Sequence, residues 1–364
     1  MNTFDLVVAG AGPAGSAAAI TTITRGLKVL LLEAGRYPRH KVCGEFVSAE
    51  SAEVLRYLLG EDAPPLFQAP RITSARLHAC GRTVTISLDT PGYSIARIDL
   101  DHVLWRAAQA RGVDCRIDSV LDVVPENGGG FHVRGTAASY RAASVVNASG
   151  RWSRLGRRVS QGKPWIGLKA HFAAETDDAV DLYFVPGGYC GVQMVRPGVL
   201  NACALIRQGA VRSLQDVFAA DAQLSERTRN WRPLTEEFAT APVYLGPGPP
   251  VVAGILQAGD AAGFVDPFVG DGISLALRGG VLAGRCAGEV NADAYAALYR
   301  QAFSGIFRST GRIRNLQEFP LFLHGWIVRG LGIPSIARRL FHETRRAQLD
   351  VLHTPLSILE QTSH

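Results

Sequence analysis

Three glycines and one carboxylate carry the first chemical signal in the sequence. Gly10, Gly12 and Gly15 fall in the spacing Gly-x-Gly-x-x-Gly, and Glu33 lies 23 residues after Gly10. Gly10 permits a tight turn, Gly12 lets the backbone approach a pyrophosphate, and Gly15 lets a helix close against a sheet. Pro13 and Ala14 lead into that helix, whose free N–H groups and roughly half a positive charge favour phosphate. A carboxylate at Glu33 can accept hydrogen bonds from ribose hydroxyls and would repel a 2′-phosphate. The chemistry is therefore binding of an adenine dinucleotide other than NADP; on this motif alone FAD and NAD both remain open.

The elements that must position these residues follow from periodicity. Residues 4–9 form a short apolar run, residues 14–25 are Ala-rich and helical, and residues 28–33 are a second apolar run. That is a βαβ unit with buried parallel strands. Helices are expected over 49–60, 99–111 and 213–229. Strands are expected over 71–78, 82–88, 113–124, 131–146, 165–174, 181–185, 190–195 and 199–206. A Pro/Gly-rich stretch at 242–250 precedes one buried strand, 251–258, and a helix from Asp271 towards Val290. The remainder, 293–352, reads as helical and Arg-rich. A nucleotide unit that returns late in the chain implies a discontinuous domain with a β-sheet insertion, an α/β (α+β mixed) class. The expected division is a dinucleotide domain of 1–70, 95–160 and 245–300. A β-sheet substrate domain takes 71–94 and 161–244, and C-terminal helices take 301–364.

Composition narrows the partners. With 47% hydrophobic and 19% charged residues in 364 positions, the chain can build a sizeable core. The net charge of +6 is modest, and no Lys/Arg run of nucleic-acid type is present. Cys43, Cys80, Cys115, Cys190, Cys203 and Cys286 form no CxxC pair, so zinc and dithiol chemistry have no support. Scattered cysteines, an opening strand in place of a signal peptide and no 18-residue apolar run lead to the expectation of a reduced, cytoplasmic protein.

Three segments together resemble a known family. They are Asp5-Leu-Val-Val-Ala-Gly-Ala-Gly-Pro-Ala-Gly15 with Glu33, Lys41-Val-Cys-Gly-Glu-Phe-Val-Ser48, and Gly259-Asp-Ala-Ala-Gly-Phe-Val-Asp-Pro-Phe-Val-Gly-Asp-Gly-Ile273. They are similar to the geranylgeranyl-reductase-like flavoproteins, within the para-hydroxybenzoate-hydroxylase-type superfamily, over roughly residues 1–290. The resemblance implies a Rossmann-like FAD-binding domain of glutathione-reductase type and FAD as cofactor. It assigns Asp260, at the carboxyl end of a strand, to the ribityl hydroxyls, and Pro267, Gly270, Gly272 and Ile273 to the flavin ring. It places Arg97, Lys41, Cys43 and Gly44 near the FAD, and Ala148 and Gly150 at the pyrophosphate and ribityl region. Ser149 replaces the usual Asp there. Ala34 and Val120 complete the implied cofactor contacts.

The resemblance also locates the chemistry. Cys43 lies close behind the flavin and is a candidate reactive thiol, with Lys41 as a cation able to lower its pKa. Its bland reading is a small buried hydrophobe. Prenyl reductases carry Tyr-x-Trp-x-Phe-Pro where this chain keeps Tyr189 but has Gly191, Gln193 and Met194. Tyr189 is therefore a second site candidate, and the substrate is expected to be an apolar or aromatic small molecule, reduced or hydroxylated, as in tailoring of a secondary metabolite or polyketide. A prenyl-lipid double-bond reductase is the alternative. A non-catalytic binding protein is the rival of another class, opposed by the intact Gly259–Gly272 element. The tryptophan motif of halogenases is absent. Lys169 and His171 share one strand face by alternation; they are expected on its solvated side, with an acid/base role as the alternative. No second nucleotide fingerprint exists, so NAD(P)H binds transiently or a separate reductase supplies electrons. The apolar run Phe319–Ile333, followed by Arg338, Arg339, Arg345 and Arg346, is expected to be a helix over the substrate cavity, with peripheral membrane contact as the alternative.

Overall fold

A computed structural model describes residues 2–152, 155, 162–317 and 350–354. The chain builds two large sheets. The first has eight strands. Its centre is the strand Thr3–Ala9, paired in parallel with Val29–Glu33 on one side and Ser139–Asn147 on the other. Asp114–Ile117 and Ile255–Gln257 extend it, also in parallel. Both faces of this sheet are covered, which explains why its central strands read as unbroken apolar runs. Leu6, Val8 and Leu31 face a helical layer of α1 (Pro13–Ile23), α2 (Ala49–Leu59) and α3 (Arg97–Ala110). Val7, Leu30 and Leu32 face the hairpin Val120–Pro125/Phe131–Gly135.

The second sheet has nine strands and is mostly antiparallel. Trp165–Ala173, Val199–Arg207, Gly188–Arg196 and Ala179–Val185 run side by side. The last of these pairs in parallel with Arg71–Ala79. The outer face carries Leu168, Val192, Ala202 and Tyr183 beneath α4 (Leu214–Ala219) and α5 (Ala222–Thr228). The inner face carries Trp165, Leu182, Phe184, Tyr189 and Leu205. Two more helices, α6 (Gly272–Cys286) and α7 (Ala292–Gln317), follow the second return to the first sheet.

Two expectations need correction. The single strand at 251–258 is a hairpin, Val251–Val252 against Ile255–Gln257. Ala253 and Gly254 both have positive φ, 50° and 79°, the backbone of a two-residue hairpin turn. The helix expected over 213–229 is two helices. Ser213 caps α4 in a capping box and Asp221 caps α5, so the chain starts afresh at 221. The apolar run 319–333 and the arginines after it lie outside the described residues. Among the described residues no helix is long and apolar enough to cross a membrane.

An ion-pair network locks the helical cover to the outer face. Asp181, 1% exposed, accepts from Arg76 Nε at 2.6 Å, Arg227 Nη1 at 2.6 Å and His78 at 2.8 Å. Burial opposes its charge, but His78, Arg76 and Arg227 hold its carboxyl far below the usual range. Replacing Asp181 with alanine leaves two guanidinium groups facing a void, so the variant should lose on the order of 3–5 kcal/mol, read as a lower urea midpoint. A depressed carboxyl contributes its stability above the unfolded pKa and loses it as pH falls through the folded one. The gap between wild type and Asp181→Ala should therefore narrow in acid.

Candidate functional site

The loops that carry the sequence signals all leave the carboxyl ends of the parallel strands, where open α/β sheets form their crevice. The glycine loop leaves Ala9 in a tight turn. Gly10 has φ +95° and donates its N–H to Leu32 O at 2.7 Å. A Cβ on Gly15 would fall 1.7 Å from Gly10 O. Pro13 stands in the first turn of α1, and Gly12 caps that helix with no side chain, leaving its amides to a ligand.

Glu33 ends the neighbouring strand and points back at this loop. Its Oε2 accepts Ala11 N–H at 2.8 Å, its Oε1 accepts Gly35 N–H at 3.2 Å, and Arg39 forms an ion pair with Oε1. Tyr37 donates to Ala11 O at 2.7 Å. Burial, with Asp101 and Glu33 nearby, pushes its phenol well above the ordinary range. Ala34 is exposed beside this cluster. Val120 opens the hairpin strand three residues beyond Ile117, which pairs with Glu33. Ala148 donates its N–H to Ala9 O at 2.8 Å, and Gly150 follows with φ +83°. Ser149 turns inward on Asn147 Oδ1, with its hydroxyl at 2.7 Å. Asp260 sits in the turn after Ile255–Gln257, with Arg151 at 3.8 Å.

Arg97 is held between the glycine loop and Cys43. It grips Asp101 through two hydrogen bonds of 2.8 Å, one turn along α3. Its Nη2 is the nearest atom, at 3.9 Å, to a Cβ placed on Gly12. Its guanidinium also lies near enough to Cys43 for the two groups to interact electrostatically. Burial opposes the charge on Arg97, while Asp101 and Cys43 outweigh it and keep the group protonated. The thiol thus has a second cation besides the Lys41 of its own segment. Burial, aided by Arg39, lowers the Lys41 ammonium from its usual value.

Lys169 and His171 are the main correction at the site. They do share one strand face, but that face is not solvated: they are 0% and 6% exposed. The segment Lys41–Glu45 lies across it. Glu45, itself 0% exposed and at φ +63°, ion-pairs with Lys169 and accepts from His171 Nε2 at 2.8 Å and from Arg97 N–H at 2.8 Å. Lys169 also donates to Lys41 O at 3.1 Å. Asn201 donates to Cys43 O and Gly44 O at 3.1 and 3.0 Å. Burial alone would push the Glu45 carboxyl up, but His171 and Lys169 hold it below the usual range. Three buried side chains on two strands thus clamp the backbone around Cys43 and Gly44. No local pattern reveals Glu45 or Asn201, whereas the Arg97–Asp101 pair carries an i,i+4 signature that could have been read.

Tyr189 meets the last segment. Its ring packs edge-to-face on Phe268, with centroids 5.2 Å apart, and its hydroxyl donates to Asp266 Oδ1 at 3.4 Å. Burial and the Asp266 charge push its phenol well up. Phe264, Phe268 and Val269 join the inner-face residues of the second sheet in one apolar cluster. Pro267 opens the short turn before Gly270, which has φ +78° and presses on Phe46. Gly272 and Ile273 begin α6.

A dinucleotide fits this arrangement on structural grounds. Gly12, Gly44 and Gly150 stand on three separate loops and Gly272 at the start of α6, and a Cβ on any of them would meet nothing closer than 3.9 Å. Residues 5–42 match the family described as FAD binding domain. The fold is that of known flavoenzymes. A flavin-dependent brominase superposes with a TM-score of 0.77 at 20% identity, covering 99% of this chain and 98% of that one. The flavin-dependent halogenase CmlS does so with 0.73 at 16% identity, covering 99% and 76%. The protein is an FAD-dependent oxidoreductase. Its relatives narrow the class. Digeranylgeranylglycerophospholipid reductase 1 of Methanococcoides burtonii is 30% identical over 80% of this chain and 76% of its own length. Menaquinone reductase of Mycolicibacterium smegmatis is 27% identical over 89% and 87%. The chain belongs to the geranylgeranyl-reductase-like family of FAD-dependent oxidoreductases.

Proposed function

We propose that the protein uses reduced FAD to act on an apolar or aromatic small molecule held between the Phe264–Val269 segment and the inner face of the second sheet. The observation that carries this reading is the apolar cluster of Trp165, Leu182, Phe184, Tyr189 and Leu205 with Phe264, Phe268 and Val269. It spans from the sheet to the loop that leads into α6. Bound FAD supplies the redox chemistry, accepting and donating hydride at its ring.

The chain's own residues do the holding. Glu33 would take the ribose hydroxyls, and the α1 amides beyond Gly12 the pyrophosphate. Val120 and Ala34 would flank the adenine side, and Ala148, Gly150 and Asp260 the ribityl side. Lys41, Cys43, Gly44, Arg97, Pro267, Gly270, Gly272 and Ile273 would enclose the ring. The amides at the start of α6 favour negative charge there. The nucleotide part would comprise 1–70, 95–160 and 245–300. Electrons would come from NAD(P)H or a separate reductase.

Both named relatives are reductases, which favours reduction of a carbon–carbon double bond over hydroxylation. Gly191 supports a substrate other than a plain prenyl chain. A Cβ there already meets Leu182 Cδ2 at 3.4 Å and Cys203 O at 3.7 Å, so the position that carries tryptophan in the prenyl-reductase pattern is lined here by Leu182 and backbone. The test is single turnover of chemically reduced, FAD-loaded enzyme with a polyprenyl alkene and with prenylated or plain aromatics, without oxygen and then with it. Anaerobic reoxidation of the flavin with a saturated product is expected. Product formed only after oxygen is admitted would overturn the reductase reading in favour of hydroxylation.

A further inference from the structure

The apolar cluster between the inner sheet face and the flavin loop contains one acid–phenol pair, Asp266 and Tyr189. Asp266 is 3% exposed. Its Oδ1 accepts Phe268 N–H at 3.1 Å, capping the short turn Pro267–Val269, and receives the Tyr189 hydroxyl at 3.4 Å. Its Oδ2 is buried and has no hydrogen-bond partner among the described residues. A cap alone does not explain this residue. Asparagine would cap the turn as well, and a buried carboxylate oxygen without a partner is costly. A proton on that carboxyl removes its charge, the larger part of the cost.

We infer that Asp266 stores a proton and passes it through the Tyr189 hydroxyl into the substrate chamber. The inference rests on the reductase reading given above. Saturating a double bond needs two hydrogens of different kind. A hydride, carrying the electron pair, goes to one carbon. A proton must reach the other as the π bond breaks. With the acid proton on Oδ1, the oxygen that meets Tyr189, the Tyr189 O–H is free to turn to the substrate: it gives its proton to carbon, the Asp266 Oδ1–H refills Tyr189, and the Asp266 carboxylate is left to recover a proton from solvent. Asp266 acts through Tyr189 and so positions and supplies the proton without touching substrate.

The surroundings suit the role. Burial pushes the Asp266 carboxyl up to about 6, against the Phe268 N–H bond, the charge of Arg314 on α7, the Tyr189 hydroxyl and the charge of Arg207 on the second sheet. The Tyr189 phenol is pushed up by burial and by Asp266, so it stays protonated at every working pH and carries the proton without storing a charge.

The test uses FAD-loaded full-length protein and two readouts. The first is pH-difference infrared spectroscopy on resting enzyme, which needs no substrate. Wild type should show a protonated-carboxyl C=O band that titrates near pH 6. Asp266→Asn should lose it, and Tyr189→Phe should keep it with a shifted frequency. The second is single-turnover reduction of a polyprenyl or aromatic-conjugated alkene across pH. Wild type should slow as pH rises through that titration. Asp266→Asn, which retains the cap, should be about 10²-fold slower and pH-independent. A band that survives in Asp266→Asn, or a variant that keeps the wild-type pH profile, overturns the proposal. If no alkene is reduced by wild type, the reductase reading fails, and the infrared arm still decides whether Asp266 stores a proton against Tyr189.

Discussion

Gly15→Ala protein is expected to emerge from purification without FAD. The added methyl would lie 1.7 Å from Gly10 O, 2.9 Å from Gly10 C and 3.2 Å from Ala148 Cβ. Two of these are backbone atoms of the turn proposed to hold the pyrophosphate, and no rotamer relieves them. The loop can only open, which separates α1 from Gly10 and misdirects the amides beyond Gly12. The cost is overpacking against backbone, at or above the upper end of about 1–3 kcal/mol for core insertions. Flavin fluorescence quenching should report at least a hundredfold weaker FAD binding. A thermal melt should show that the apo protein still folds cooperatively at a lower midpoint. Gly26→Ala is the control. Gly26, unlike Gly15, has positive φ, but a Cβ there meets nothing within 4 Å, so FAD affinity should be kept even though the variant loses some stability. Equal FAD affinity in Gly15→Ala and wild type would contradict the tight-loop geometry.

The second large effect is expected at Glu45. Its carboxylate balances Lys169 in a site where both side chains are 1% exposed or less. Glu45→Ala leaves a buried ammonium without its counter-charge and removes the acceptors of His171 Nε2 and Arg97 N–H. Loss of one partner of such a pair costs on the order of 3–5 kcal/mol. Lys169→Met alone leaves the carboxylate with His171 and the Arg97 amide. The double variant should therefore be less destabilised than the sum of the singles, with coupling of about 0.5–3 kcal/mol in a urea-denaturation cycle. Strict additivity would show that the pair is not coupled. The same cluster fixes the Cys43 backbone through Lys41 O and, alongside it, Asn201. Glu45→Ala should also speed alkylation of Cys43, read by mass spectrometry of the labelled peptide. The pH dependence has a definite sign. The Glu45 carboxyl is held below its usual value, so its contribution is present at neutral pH and is lost as pH falls through the folded pKa. Wild type should lose stability in acid faster than Glu45→Gln.

Local patterns made much of the fold readable. The run 4–9, the glycine spacing and the second run to Glu33 sit within one βαβ unit, whose contacts are near neighbours in sequence. The strands from Ala179 to Arg207 follow one another as an antiparallel meander and Trp165–Ala173 pairs with the last of them, and period-two alternation along that one strand was enough to place Lys169 and His171 on a shared face. The hairpin at 251–257 was not readable. Ala253–Gly254 lacks the Asn-Gly or Asp-Gly signal of such turns, and the flanking apolar residues run on as if in one strand.

The burial of that shared face was not readable either. Alternation states which side chains point the same way, not what covers them. The cover is the Lys41–Glu45 segment, 124 residues away at the Lys169–Glu45 contact. Its path depends on a positive φ at Glu45, a conformation that no glycine announces. The same limit applies to Asp266, whose meaning depends on Tyr189 arriving from 77 residues earlier. What the sequence determined by itself was the dinucleotide loop, the resemblance that pointed to FAD, and the order of elements, because these rest on short-range spacing and backbone geometry. The tertiary structure alone decided which charges are buried, which cation lies near Cys43 and which acid sits in the apolar cluster. Desolvation and pairing depend on neighbours from distant strands, and those neighbours are fixed only when the sheet closes on the loops.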